Sequence, residues 1–189
     1  MVEIVKCEEG HVSLHDSILE SRSQLGLIGD ISILPKINSR KVKRAIKSYV
    51  PGRNIGSEPV LLLVDNTLLR SGKQGMIITP RMLYSFSNIS GKFSIKLEDI
   101  ESVSPQVRYA LGNAQLGIVV NGKGFLSLPG MTEDSHIFRD FVEWEGVLVG
   151  EEFSPAILYF SIFLHKALAC ELILDKESDP GPPPWYNNG

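Results

Sequence analysis

Val60-Leu61-Leu62-Leu63-Val64, followed by Asp65-Asn66-Thr67, is the stretch on which the fold turns. A continuous apolar run closed by turn-forming residues reads as a strand buried on both faces, or as a sheet strand lying under a helix. The segments after it keep the same character. Gly75-Met76-Ile77-Ile78-Thr79, Arg81-Met82-Leu83-Tyr84-Ser85-Phe86 and Lys92-Phe93-Ser94-Ile95-Lys96-Leu97 are short and separated by Gly, Pro, Asn or Ser. The last alternates Phe93, Ile95 and Leu97 with Lys92, Ser94 and Lys96, the pattern of an antiparallel strand with one wet face. Further on, Gly117-Ile118-Val119-Val120 and the run 123–128 flank Asn121-Gly122. Asn-Gly supplies the two positive-φ positions of a type I′ turn, so this is the strongest hairpin signal in the chain.

Upstream of the decisive stretch the period is helical. Val42, Ala45, Ile46 and Tyr49 recur at helical spacing over 39–49, Ser39 can cap, and Pro51-Gly52 stops the run. The opposite side is basic: residues 36–53 hold seven cations (Lys36, Arg40, Lys41, Lys43, Arg44, Lys47, Arg53) and no carboxylate. Downstream, Thr132 can cap a helix carrying Ile137, Phe138, Phe141, Trp144 and Leu148. A second helix is expected from Ser154-Pro155 through Ile157, Leu158, Leu164, Leu168 and Leu172. Residues 133–179 contain eleven acidic and three basic residues, a balance of 3 − 11 = −8, so the two ends of the chain carry opposite charge.

Composition sets the class. With 189 residues, 43% apolar, 22% charged and a net charge of −3, the chain has the balance of one folded domain and no global attraction to nucleic acid, which is not expected as a partner. The apolar stretch 155–164 is far shorter than the roughly 20 residues of a bilayer-spanning helix. Cys7 and Cys170 have no metal-like or redox-like spacing, and the N-terminus lacks a basic segment followed by a long apolar one, so two free thiols in the cytoplasm are expected. The tail Asp179-Pro180-Gly181-Pro182-Pro183-Pro184 cannot continue a helix. The division that follows is an N-terminal extension 1–38, an α+β domain 39–174 and a flexible Pro-rich tail 175–189.

The order of a basic helix, then Val60 to Thr67, then Ser71-Gly72-Lys73-Gln74-Gly75 to Thr79, resembles the opening of bacterial pleckstrin-homology-like domains. Thr79, Arg81, Tyr84 and Glu98-Asp99-Ile100-Glu101-Ser102-Val103 look like the strand end, the basic residue, the aromatic strand and the acidic-apolar step that follow in that family. The likeness covers roughly residues 41–148. It implies one strongly bent antiparallel sheet, a partly closed barrel, closed by a C-terminal helix and used as a scaffold for interactions. Either the helix over 132–148 or the one from Pro155 could be that closing helix.

No catalytic constellation is visible. Gly72-Lys73 lacks the earlier glycine and the Ser or Thr of a phosphate loop, because Thr67 and Gln74 occupy those positions. His11 and His15 share a helical spacing without a third ligand, and His136 and His165 fall in or beside expected helices. No Gly-x-Ser-x-Gly elbow is present, and Glu98, Asp99 and Glu101 read as solvated carboxylates at a strand end. No enzyme, no cofactor and no metal are therefore expected.

What remains is charge. Arg40, Lys41, Lys43, Arg44, Lys47 and Arg53 could meet an acidic protein, phosphates or an anionic membrane surface, or could be a solvated face balancing the acidic half. Glu143, Glu145, Glu151 and Glu152 form an alternative acidic surface, suited to an immunity or inhibitor protein capping a basic partner. The leading expectation is a non-enzymatic protein-binding module, with a second copy of the chain among the candidate partners.

Overall fold

The structure, a computed structural model, describes residues 2–5, 14–26, 30–67, 71–88, 90–110, 113–128 and 155–175. Its centre is a five-stranded antiparallel sheet built around the decisive stretch: β2 (Ile31–Ile33), β3 (Leu62–Asp65), β4 (Gly75–Ile78), β5 (Met82–Ser87) and β6 (Gly91–Lys96), in that spatial order. Leu63 stands opposite Ile77, Ile77 opposite Tyr84, and Tyr84 opposite Ser94. All four residues of β3 and of β4 are buried, because both faces of the sheet are covered. The continuous apolar run thus has the environment that makes such a run favourable. The helix α3 (Ser39–Tyr49) packs on one face, over Leu63, Ile77, Tyr84 and Phe86.

The other face, through Leu62, Val64, Met76, Ile78 and Leu83, meets a second layer. That layer is a second five-stranded sheet in the order β1 (Val2–Val5), β10 (Glu171–Asp175), β7 (Ser102–Ala110), β8 (Asn113–Val120) and β9 (Gly124–Ser127). The single bent sheet of a partly closed barrel is therefore corrected to two sheets, not closed into a barrel. The division falls at Leu97–Asp99, which form a 3-10 turn with Leu97 buried, so the chain leaves the first sheet after β6 and enters the second at β7. The second sheet is also not purely antiparallel, since β10 runs parallel to β7. That pairing extends only over Ser102 and Val103, which leaves Pro105 beyond the stretch where a missing N–H would break a ladder with β10. The sheets touch where the Phe93 ring lies against Gly124, with Asn66 Nδ2 bonded to Ser127 Oγ nearby.

The helix α4 (Pro155–Leu168) lies in the shared core, and every residue from 157 to 165 is buried. A helix apolar on all sides is stable only when enclosed in this way. Its one hydroxyl in that stretch beyond Tyr159 is absorbed locally, Ser161 Oγ donating to the Ile157 carbonyl at 2.8 Å. The helix expected to run through Leu172 ends at Leu168. Ala169 takes φ 51°, His165 Nδ1 bonds the Cys170 carbonyl, and the chain turns into β10. Leu168 and Leu172 keep helical spacing, but Cys170, Leu172 and Leu174 are buried alternately, the period of a strand. The helix over 132–148, Ser154 and the tail beyond residue 175 lie outside the described residues.

Residues 1–38 supply β1 and β2 and two short helices, α1 (Leu14–Glu20) and α2 (Arg22–Leu25), with Ile18, Leu25 and Ile33 in the common core. At the expected hairpin, Asn121 and Gly122 have φ of 50° and 65°, and Lys123 N–H donates to the Val120 carbonyl at 3.0 Å. Asn121 also fastens the second sheet: its Oδ1 accepts from Glu101 and Ser102 N–H, and its Nδ2 donates to the Asp99 carbonyl. Among the described residues no helix is long and apolar enough to cross a membrane.

The closest backbone approach in the first sheet gives a test. A Cβ on Gly75, which has φ 133°, would stand 2.0 Å from the Val64 carbonyl oxygen, whereas one on Gly91, with φ 74°, would meet nothing within 4 Å. Gly75→Ala is expected to cost more than about 3 kcal/mol and Gly91→Ala about 1–2 kcal/mol, the backbone term alone. Urea denaturation of the two variants checks the difference.

Candidate functional site

The basic helix forms because its two faces have separate fates. Asn38 is the cap in place of the expected Ser39: its side-chain oxygen accepts from Arg40 N–H at 2.9 Å and Lys41 N–H at 3.3 Å, while Ser39 begins the helix. Ala45 and Tyr49 are fully buried against the sheet, with Val42 and Ile46 half-buried beside them. The helix ends at Tyr49, before Pro51.

Apolar packing alone would seat α3 loosely, and a polar cluster at its edge makes the seat specific. Asp65, at the end of β3, is 1% exposed, and its Oδ2 lies 2.8 Å from Lys41 Nζ, whose side chain is 23% exposed. The Gly72 N–H donates to both carboxylate oxygens at 3.0 Å, and Thr67 gives its N–H and its hydroxyl to Oδ1. A buried carboxylate without these donors would be costly. The Gly72 carbonyl in turn accepts from the Tyr49 hydroxyl at 2.8 Å. One residue, Gly72, therefore receives α3 at both ends, its N–H through Asp65 to Lys41 in the first turn and its carbonyl directly from Tyr49 in the last. Glycine is favoured there, because φ is 71° and a Cβ would lie 3.1 Å from the Lys41 carbonyl oxygen, so a side chain would add strain and crowd the helix.

Electrostatics follow from this geometry. Burial by itself would raise the Asp65 pKa, but the hydrogen bonds from Lys41, Thr67 and Gly72, with the Lys41 charge, bring it below the ordinary carboxylate value. The Tyr49 hydroxyl is pushed far up, first by burial and then by the neighbouring Asp65 charge, so it remains a donor.

The sequence-nominated cations separate into two groups. Lys41 is turned inward to Asp65. Arg40, Lys43, Arg44 and Lys47 are exposed on one side of α3, and Arg53 is exposed in the following 3-10 turn, at φ 56°. At 3.6 residues per turn and 1.5 Å rise, the four helix cations cover about 100° of arc and about 10 Å of length. Among the described residues none of these five cations has an ion-pair partner within 4.0 Å. Glu143, Glu145, Glu151 and Glu152 lie outside the described residues.

Other chemistry is not assembled among the described residues. No group of three or more His, Cys, Asp or Glu is placed to hold a metal. The Gly72 N–H, which a phosphate loop would offer to a ligand, is taken by Asp65. His15 is exposed beside Asp16 at 3.8 Å, His165 is buried in α4, and His11 and His136 lie outside the described residues. Glu98 is paired with Lys96 at 3.0 Å on the surface, and Asp99 and Glu101 are exposed. Cys170 is buried and in no disulfide.

Sequence reading took Asp65-Asn66-Thr67 as a bend and missed the role of Asp65. The signal was there in part: a carboxylate two residues before a threonine is placed to accept that residue's N–H and hydroxyl. Its pairing with Lys41, 24 residues earlier, had no local signature. Comparison with protein-family models, with curated proteins and with solved structures finds no match to this chain.

The buried pair has a measurable signature. Asp65→Asn is expected to lower stability by about 3 kcal/mol, the lower end of the scale for a broken buried ion pair, because the Lys41 side chain is partly exposed. Because the folded-state pKa of Asp65 lies below its unfolded value of about 3.9, its contribution is complete above that value and is lost as pH falls through the folded one. Denaturant unfolding from pH 6 down to pH 2 is expected to show a smaller acid-side loss of stability in the variant than in the wild type.

Proposed function

We propose that the chain is a non-enzymatic protein-binding module that docks an acidic surface of its partner on the exposed cationic side of α3. The observation that carries this reading is the presentation of Arg40, Lys43, Arg44 and Lys47 along one stripe, without ion-pair partners among the described residues, on a helix fastened at both ends, to the end of β3 and to the β3–β4 connection. Like charges at helical spacings of three and four repel one another by a few tenths of a kcal/mol per pair. An acidic partner relieves that repulsion and adds charge-assisted hydrogen bonds, two of the four donors being arginines with a planar fork.

A scaffold of two sheets covered by helices, with binding carried on its surface, agrees with this use. Protein is favoured over lipid because Leu19, on α1, is the one large apolar side chain well exposed among the described residues. Among the described residues no large apolar side chain beside the stripe is well exposed for insertion into a bilayer, as interfacial helices require.

The test is affinity capture from lysate of the native host at low and moderate salt, with wild-type protein and the Arg40→Gln, Lys43→Gln, Arg44→Gln, Lys47→Gln quadruple variant. Thermal unfolding should be little changed, since exposed charges each contribute within about 0.5 kcal/mol. An acidic protein retained stoichiometrically by the wild type, salt-sensitive and lost from the variant, is expected. Equal retention by both contradicts the reading, and salt-sensitive cosedimentation with anionic vesicles in place of a protein partner moves it to a membrane surface.

A further inference from the structure

The basic helix carries five cations, yet its exposed stripe offers four. We infer that Asp65 is an internal counter-anion that withholds Lys41 from the binding face and so sets the number of cations presented to a partner. This deepens the reading of α3 as a binding face and rests on it. Lys41 projects about 60° around the helix from Arg44, and a lysine side chain is long and flexible enough to lay its ammonium along that edge. It is held elsewhere by an ion pair of 2.8 Å to a carboxylate that is 1% exposed. To recruit Lys41, an external anion would have to leave that carboxylate buried with only its Thr67 and Gly72 donors. An anion in water competes poorly with one already desolvated and oriented. The internal pair therefore acts as an autoinhibitory contact, and loss of the Asp65 charge releases a fifth cation.

Binding to a polyanion counts cations through its salt dependence, because each cation engaged releases counterions from the polymer. Poly-L-glutamate serves as the probe, with the slope of log affinity against log salt measured for wild type, Lys43→Gln, Lys41→Gln, Asp65→Asn and the Lys41→Gln, Asp65→Asn double variant, each first checked for native circular dichroism. Lys43→Gln should give a shallower slope, by the contribution of one cation. Lys41→Gln and the double variant should keep the wild-type slope, and Asp65→Asn should steepen it by the contribution of one cation. A slope lowered by Lys41→Gln as much as by Lys43→Gln overturns the inference, as does an unchanged slope in folded Asp65→Asn. Should Asp65→Asn not fold, the Lys41→Gln and double-variant slopes decide alone, a loss in either overturning it. If wild type fails to bind the probe at low salt, or Lys43→Gln leaves the slope untouched, the binding-face reading itself falls.

Discussion

The Asp65 carboxylate is the point on which the rest of the outer layer depends. It is buried at the end of one of the two fully buried strands in the sheet, and it is tolerable there only because Lys41, Thr67 and Gly72 satisfy it. Lys41 belongs to the helix, whereas Thr67 and Gly72 both belong to the connection between β3 and β4. Satisfying one charge therefore fixes the helix, the end of β3 and that connection relative to one another. Apolar burial supplies most of the driving force for seating α3, but burial is non-directional and would accept small rotations of the helix. A hydrogen-bonded ion pair is directional, and its worth lies here in selecting one arrangement more than in net stability.

That choice has a consequence for the surface. A helix with cations at five positions and an apolar stripe could distribute its charge symmetrically about the apolar side. Drawing Lys41 down to the sheet leaves the remaining four in one continuous stripe pointing away from it. The Gly72 carbonyl, accepting from the Tyr49 hydroxyl, secures the far end, so the stripe sits on a helix held at both ends. Association steered by such a face would be sensitive to ionic strength, since exposed charges are screened over about 8–10 Å at physiological salt.

Much of the architecture could be read from residues alone, where the signal was local. The apolar run at Val60, the Asn121-Gly122 turn and the alternation of Phe93 and Ile95 each encode their own strand or turn, and α3 announces itself by period and charge. Where the outcome depends on distant partners, the reading failed or was silent. Leu168 and Leu172 fit a helix by spacing, but the helix ends at Leu168 because β10 gains a place between β1 and β7, strands from opposite parts of the chain. The division into two sheets turns on a single 3-10 turn at Leu97–Asp99, within a stretch that looks like any strand end. At the candidate site, five of the six nominated cations are exposed, while the sixth, Lys41, and its partner Asp65 carry the geometry. A basic residue on a basic helix gives no local sign that it faces inward.

The geometry requires the Lys41 ammonium to be held against the Asp65 carboxylate in solution while Lys43 and Lys47 on α3 stay exposed to solvent. The most direct measurement is nitrogen-detected NMR of the lysine ammonium groups at mildly acidic pH and low temperature, with carboxylate carbon shifts followed in parallel. A slowly exchanging Lys41 ammonium signal with a scalar coupling to the Asp65 carboxylate carbon across the hydrogen bond is expected, with rapidly averaging signals for Lys43 and Lys47. A Lys41 signal indistinguishable from those of Lys43 and Lys47 would contradict it.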